Sequence, residues 1–267
     1  MTLLWTAGAL LVMMGVAFLV ALRAGRHSVV DSAWGIGIAL VAVVSLLSSA
    51  GHGQPVRRYL LLTAACVWGL RLAAHLTWRN RGSGEDPRYR DLLSRAPGNQ
   101  QLYALRVIYL PQALILWLAC VPIQTGMLTV APAGALAIAG AVLWAGGFGF
   151  ETIGDWQLAR FRADPAHQGK IMDRGLWRYT RHPNYFGDAC MWWGLFFIGL
   201  GSWVGLLTVF APVMMTWILT RGSGQWLTDR RMAASRPQYA DYAARTSGFI
   251  PLPPRRADRR DGGWKQR

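Results

Sequence analysis

Seven stretches of the chain are almost wholly apolar over about the length a bilayer requires: residues 3–22, 29–49, 59–78, 107–124, 128–150, 186–202 and 204–220. A helix that crosses a membrane needs roughly 20 predominantly apolar residues, and it must satisfy its backbone polar groups internally because lipid offers none. The pattern therefore predicts an all-α, polytopic membrane protein with seven transmembrane helices. The first stretch has no basic residue before Arg23 and exceeds the apolar region of a secretory signal, so a retained helix is expected there. One membrane domain over residues 1–254 and a tail over 255–267 is the predicted organisation.

Composition removes the soluble alternative. Hydrophobic residues make up 53% of the chain and charged residues only 15%, against about 25% charged in soluble domains. The imbalance of 28 Lys and Arg over 13 Asp and Glu, a net charge of +15, raises the question of nucleic acid. Nucleic-acid binders spread such charge over a solvated face, whereas here it lies between apolar runs, and no nucleic-acid partner is expected. With the N-terminus outside, 25 Lys and Arg fall on the inner side and only Arg57 and Arg58 on the outer, while Arg71 lies within a span. By the positive-inside rule the predicted topology is N-out and C-in, with the long loops in the cytoplasm.

The tail bears Arg255, Arg256, Arg259, Arg260, Lys265 and Arg267 after three prolines. It reads as a topological determinant that also attracts anionic head groups, at about 1 kcal/mol per basic residue. Cys66, Cys120 and Cys190 lie inside apolar runs without metal-ligand spacing, so neither a disulfide framework nor a metal site is predicted.

Polar residues concentrate in inner-side segments. Arg71, His75 and Arg79 are four apart and form one basic stripe on a helix. An Arg inside a span costs about 2.5–3.5 kcal/mol and is expected to face a cavity, an anion or a carboxylate. Asp31, at the start of the second span, is either a functional carboxylate or a partner for Arg71 or Arg79. Further on, Glu151, Asp155 and Arg162 fall near one face of a helix extending the fifth span inward, a combination suited to hydroxyls and phosphates. Lys170 follows. The run Tyr179-Thr-Arg181-His182-Pro183-Asn184-Tyr185 leads to Asp188 one turn inside the sixth span. Pro183 stops any preceding helix and leaves free N–H groups near Asn184, where a phosphate or polar head is favoured. The bland alternative is a capped interfacial turn. Arg221, Asp229 and Arg231 follow the last span on a short amphipathic helix. Phosphate loops, dinucleotide fingerprints in a strand-to-helix setting and nucleophile elbows are all missing, so any cofactor is expected to rest on interhelical loops.

These residues together resemble a known family. Gly175-Leu-Trp177-x-Tyr179-x-Arg181-His182-Pro183-Asn184-Tyr185-Phe186-Gly187, then Leu227-x-Asp229-x-Arg231-Met232, and Arg236-Pro-x-Tyr239-x-x-Tyr242 through Phe249-Ile-Pro251, are similar to the steroid 5α-reductase C-terminal family. Gly84-Glu85-Asp86-Pro87-Arg88-Tyr89 resembles the bacterial membrane branch of that family, and the likeness covers most of residues 28–254.

The resemblance implies an enzyme of the bacterial inner membrane that takes NADPH from the cytoplasmic side and a lipid from the bilayer, without an obligate protein partner. It would reduce the carbon–carbon double bond of an enone lipid, steroid-like or isoprenoid, by hydride transfer to the β-carbon. Asp155 and Arg162 then stand where the family binds adenosine and phosphates, Asn184 and Asp188 where it holds the nicotinamide amide, and Arg221 where it meets phosphate. Glu151, Lys170, Tyr179, Arg181, His182, Tyr185 and Arg231 complete the expected cofactor-binding set. Asp188 and Asp229 replace the more usual Glu, and the Gln-Glu pair and Tyr with which the steroid enzymes grip a carbonyl find no match. Asp31, Arg71 and His75 are assigned the catalytic role by position. The alternative is an S-adenosylmethionine-dependent methyltransferase acting on a lipid or isoprenylcysteine, because that family carries a similar Arg-His-Pro-Asn-Tyr core. A transporter would put broken helices at the midplane of two related halves, and the polar residues instead gather toward one face.

Overall fold

The computed structural model describes residues 1–222 and 224–255, and every regular element among them is helical. The long helices are α1 (Thr2–Ala24), α2 (Val29–Ser48), α3 (Pro55–Arg79), α8 (Ala135–Ala163) and α9 (Pro183–Gly199). Short helices α4 (Pro87–Leu93) and α5 (Gln100–Ala104) lead through a π turn, Leu105–Tyr109, into α6 (Leu110–Ala119) and α7 (Val121–Gly126). The chain ends in α10 (Trp203–Leu207), α11 (Phe210–Thr220), α12 (Gln225–Ser235) and α13 (Tyr239–Arg245). Thr180 and Ser247 form an isolated β-bridge. Of the tail, only Arg255 lies among the described residues.

Six helical stretches are long and apolar enough to cross a membrane: Thr2–Ala24, Val29–Ser48, Pro55–Arg79, Gln100–Gly126, Ala135–Ala163 and Trp203–Ser235. They identify a multi-pass membrane protein. The stretch at 186–202 becomes α9, which at 17 residues is shorter than these six. The fifth apolar run begins seven residues later than its hydropathy, at Ala135, and continues as one helix through Glu151, Asp155 and Arg162 to Ala163. Exposed apolar side chains such as Leu4, Val12, Val16 and Leu19 on α1 are what lipid contact requires.

Local chemistry sets several helix ends. Gly25 adopts φ 64° and closes α1 in the left-handed conformation a glycine accepts without strain. The Gln54 side chain accepts from the Arg57 N–H and Pro55 occupies the first turn of α3. Asp86, accepting from the Arg88 N–H, and Pro87 do the same for α4.

The described chain divides into two compact units, Met1–Ala145 with Met191–Met215, and Gly146–Cys190 with Thr216–Arg267. In the first, α2 and α3 pack backbone to backbone where Gly35 meets Gly69, and a Cβ on Gly35 would also lie 2.6 Å from the Ala73 nitrogen. Backbone cannot yield as a flexible side chain does, so Gly69→Val is expected to cost about 3 kcal/mol, the upper part of the overpacking range. Thermal midpoints in detergent measure this, and an unchanged midpoint would show that the helices separate freely. The same unit buries Arg57, 2% exposed, among backbone carbonyls of Ile198, Leu200, Ala131 and Pro132.

Candidate functional site

Two polar clusters stand out, one in each unit. In the first, the loop after α3 is fastened to the α1–α2 turn. Arg26 donates to the carbonyls of Asn80 at 2.6 Å and Ser83 at 2.8 Å. The Glu85 carboxylate accepts from the His27 and Ser28 N–H groups, the latter at 3.0 Å, and so caps α2 with negative charge at its positive end. This fastening carries α4 to Asp31. Tyr89 donates its hydroxyl proton to Asp31 Oδ1 at 2.5 Å, and Arg88 donates to Asp31 Oδ2 at 3.0 Å and to Asp86 at 2.9 Å. Gln112 of α6 donates to the Tyr89 oxygen at 3.4 Å and accepts from the Trp34 indole at 2.6 Å.

Asp31 pairs with Arg88, a partner the sequence reading had not named beside Arg71 and Arg79. The α4 loop brings this guanidinium, held by both oxygens of Asp86, to the head of α2 from 57 residues away. Burial, reinforced by the Asp31 charge, pushes the Tyr89 phenol well above its ordinary value, so it stays a proton donor. Burial would lower the Arg88 guanidinium, but its bonds to Asp86 and the charge of Asp31 outweigh that and raise it. Arg71 and His75 are half-buried on α3, and the His75 ring lies 6.1 Å from that of Trp78. Hydropathy and spacing missed Tyr89 and Gln112, and the signal that could have found Tyr89 was the dense Glu85-to-Tyr89 run itself.

In the second unit α8 and α9 approach closely at two glycines. A Cβ on Gly154 would meet the Pro183 ring at 3.1 Å, and one on Gly187 would meet the Gly147 carbonyl at 2.5 Å and the Glu151 nitrogen at 2.6 Å. The close crossing buries Glu151 and Asp155, and lets Asn184 donate its amide to Asp155 Oδ1 at 3.3 Å. Asp188 follows one turn along α9, half-buried. The indole of Trp177 donates to the Gly154 carbonyl at 3.0 Å, and Tyr242 donates to the Trp177 carbonyl at 2.6 Å, tying the turn before α9 to both α8 and α13.

The centre of this cluster is Asp229 on α12. Its Oδ1 lies 2.7 Å from His182 Nε2 and accepts the Tyr239 hydroxyl, and its Oδ2 accepts from Arg181 at 2.9 Å and from Gln225 at 3.4 Å. A carboxylate acceptor places the imidazole proton on Nε2. The His182 and Tyr185 rings stack with centroids 5.2 Å apart and planes 2° from parallel. Burial and the bond to Asp229 raise the Tyr239 phenol, and burial raises Tyr242, so both remain donors. Segment 246–252 straps this turn: Arg181 N donates to the Ser247 carbonyl at 2.9 Å, and the Thr180 hydroxyl to the Phe249 carbonyl at 2.8 Å. A cavity of about 480 Å³ opens beside Asp229, lined also by Arg221, Gln225, Trp226, Arg230 and Phe249.

The structure thus brings Asp155 to Asn184, sets Glu151 against Gly187, joins Arg181 and His182 through Asp229 with Tyr185 stacked on His182, and puts Arg221 on the cavity. Tyr179, Arg162, Lys170 and Arg231 are exposed. Of Lys170, the backbone carbonyl accepts from Arg236 at 2.5 Å. Asp229 and Tyr239 are the principal additions to the expected set. Among the described residues no three His, Cys, Asp or Glu side chains gather as a metal site.

Searches of curated proteins and of solved structures found no match. A family model described as "Protein of unknown function (DUF1295)" matches residues 17–246, which include Asp31, Tyr89, Asp155, His182, Asn184, Asp229 and Tyr239. Matched over most of its length and through both clusters, the chain belongs to the DUF1295 family.

Proposed function

We propose that this protein is an NADPH-dependent membrane reductase of the carbon–carbon double bond of an enone lipid, similar to the steroid 5α-reductases. The observation that carries the reading is the Tyr89–Asp31–Arg88 group: a buried phenol kept protonated, bonded to an anchored carboxylate at the head of an apolar helix. Reduction of an enone needs such an acid at the carbonyl oxygen, where negative charge develops. Seven spans with the N-terminus outside, α9 being the sixth, are the topology this reading takes. The loops then face the cytoplasm of a bacterial inner membrane, and the polybasic tail meets anionic lipid.

NADPH, when bound, would supply a hydride for the β-carbon. In the second unit Asp155 would accept from the adenosine, Asn184 and Asp188 would hold the nicotinamide amide, and Arg162 and Arg221 would meet phosphates. Arg181, His182 and Tyr185 shape the turn that holds it. In the first unit the Tyr89 hydroxyl would turn from Asp31 to the carbonyl oxygen and protonate it, the Arg88 guanidinium and the Gln112 N–H would stabilise the phenolate, and as water protonates the α-carbon the enol proton would return to Tyr89. Arg71 and His75 supply a positive lining.

The 14 tryptophans offer a direct assay. Purified in detergent, the protein is expected to show saturable fluorescence quenching with NADPH and none with S-adenosylmethionine. Saturation by the methyl donor without NADPH binding would establish the methyltransferase instead. Asn184→Ala is expected to weaken NADPH about tenfold, the value of one hydrogen bond of about 1.4 kcal/mol. Unchanged affinity in a folded Asn184→Ala protein would remove this turn from the cofactor site.

A further inference from the structure

Five side chains in the first unit form an unbroken chain of hydrogen bonds whose polarity is fixed at both ends. An indole N–H only donates, so Trp34, 2.6 Å from Gln112 Oε1, determines which end of that amide is which. The Gln112 NH2 group is thereby left facing the Tyr89 oxygen at 3.4 Å, and it too only donates. The phenol oxygen is then an acceptor on the Gln112 side, and its single proton must point the other way, to Asp31 Oδ1 at 2.5 Å. At the far end Arg88, a donor with no acceptor capacity, holds Asp31 Oδ2 at 3.0 Å. Flipping the amide would confront an indole N–H with an NH2 group, leaving two donors face to face in a half-buried setting.

We infer that Trp34 and Gln112 are positioning residues that hold the Tyr89 proton on the Asp31 side and give the acid of the proposed reductase one defined orientation. Neither need touch the lipid. With the Gln112 amide on one lone pair and Asp31 on the proton, the phenol has a single lone-pair direction left. For a carbonyl to take the proton the hydroxyl turns from Asp31: the O–H bond of Tyr89 breaks as the O–H bond of the enol forms, and the phenolate left is held by the Gln112 N–H and by the Arg88 guanidinium, 5.5 Å from the ring centroid. This inference rests on the reductase reading only for its consequence in turnover. The bond polarity stands independently.

Isotope-edited infrared spectroscopy tests the polarity without any ligand, because the tyrosine C–O stretch differs between a phenol that donates and accepts and one that only donates. Tyr89→Phe identifies the band among the eight tyrosines. Gln112→Leu is expected to move that band to the donor-only position, and Trp34→Phe to split it, since the amide is then free to flip. Gln112→Glu, which presents only acceptors when ionised, should draw the phenol proton away from Asp31 and move the band in a third manner. A band at the wild-type position in both Gln112→Leu and Trp34→Phe, with helicity retained, would overturn the inference. In turnover, both variants should lose roughly tenfold to a hundredfold in kcat at unchanged KM, the cost of a misaligned reacting group. If the band shifts but no NADPH-dependent turnover exists in the wild type, the reductase reading fails while the positioning chain stands.

Discussion

Asp229→Ala is expected to abolish NADPH binding and to destabilise the second unit by about 3 kcal/mol, the low end of the range for removing one partner of a buried charged pair. Four donors converge on this carboxylate: Arg181, His182, Tyr239 and Gln225. The Asp229 and Arg181 side chains are 19% and 15% exposed and His182 only 5%, so the orphaned donors would find little water. The low end applies because Arg181 keeps its bond to the Ala243 carbonyl at 3.1 Å. Arg181 and His182 are the residues immediately before Pro183, and their side chains fix the entry of α9 and with it Asn184 opposite Asp155. Loss of the acceptor therefore propagates through the backbone to the residues proposed to hold the nucleotide. Asp229→Asn retains volume and one acceptor oxygen but turns an NH2 group toward a donor, so an intermediate loss is expected. Thermal midpoints in detergent and NADPH titration together decide the matter. An Asp229→Ala protein with wild-type midpoint and affinity would reduce the network to a surface feature.

The helices and their membrane character were legible because hydropathy is a local property: each apolar run reports its own burial in lipid. So was the continuation of the fifth span through Glu151 and Asp155, since no proline interrupts it. What the pattern did not contain was long-range pairing. Asp31 and Tyr89 are separated by 58 residues and meet only because Arg26 and Glu85 fasten the intervening loop to the α1–α2 turn. His182 and Asp229, 47 residues apart, meet because segment 246–252 straps the turn from outside. In both cases each member was visible on its own, but nothing local to either residue marked the other as its partner. Arg162, which a helical face aligned with Glu151 and Asp155, lies in the exposed last turn of α8 while both acids are buried.

Arg57 supplies the second large effect. Its position near the start of α3 makes it look like an outer-side cation in solvent, equivalent to Arg58, yet it is 2% exposed. Its Nη1 donates to the carbonyls of Ile198 and, at 2.9 Å, Leu200, and its Nη2 donates to those of Ala131 at 3.3 Å and Pro132 at 2.9 Å. Ile198 and Leu200 stand at the C-terminal end of α9, where carbonyls lack intrahelical partners and carry the negative pole of the helix. One guanidinium thus ends α9, pins the turn before α8 and anchors the start of α3. Arg57→Met keeps the stem and removes every donor, leaving four carbonyls to find water in a packed site. A loss of about 3–5 kcal/mol is expected, the scale for breaking a buried charged group away from its partners. Arg57→Lys restores the charge but not the planar fork, and should recover only part. Arg58, whose Nη2 reaches the Leu46 carbonyl at 2.8 Å and the Ser49 hydroxyl at 3.3 Å, should lose only about 1 kcal/mol on the same change to Met. Unfolding by SDS titration from mixed micelles measures all three, and equal midpoints for Arg57→Met and Arg58→Met would refute the clamp. If the ordering holds, Arg57 is an interior residue and not a topological charge. The outer side of the proposed topology then carries Arg58 alone, itself half-buried, against 25 within, which strengthens the charge argument for an inward-facing C-terminus.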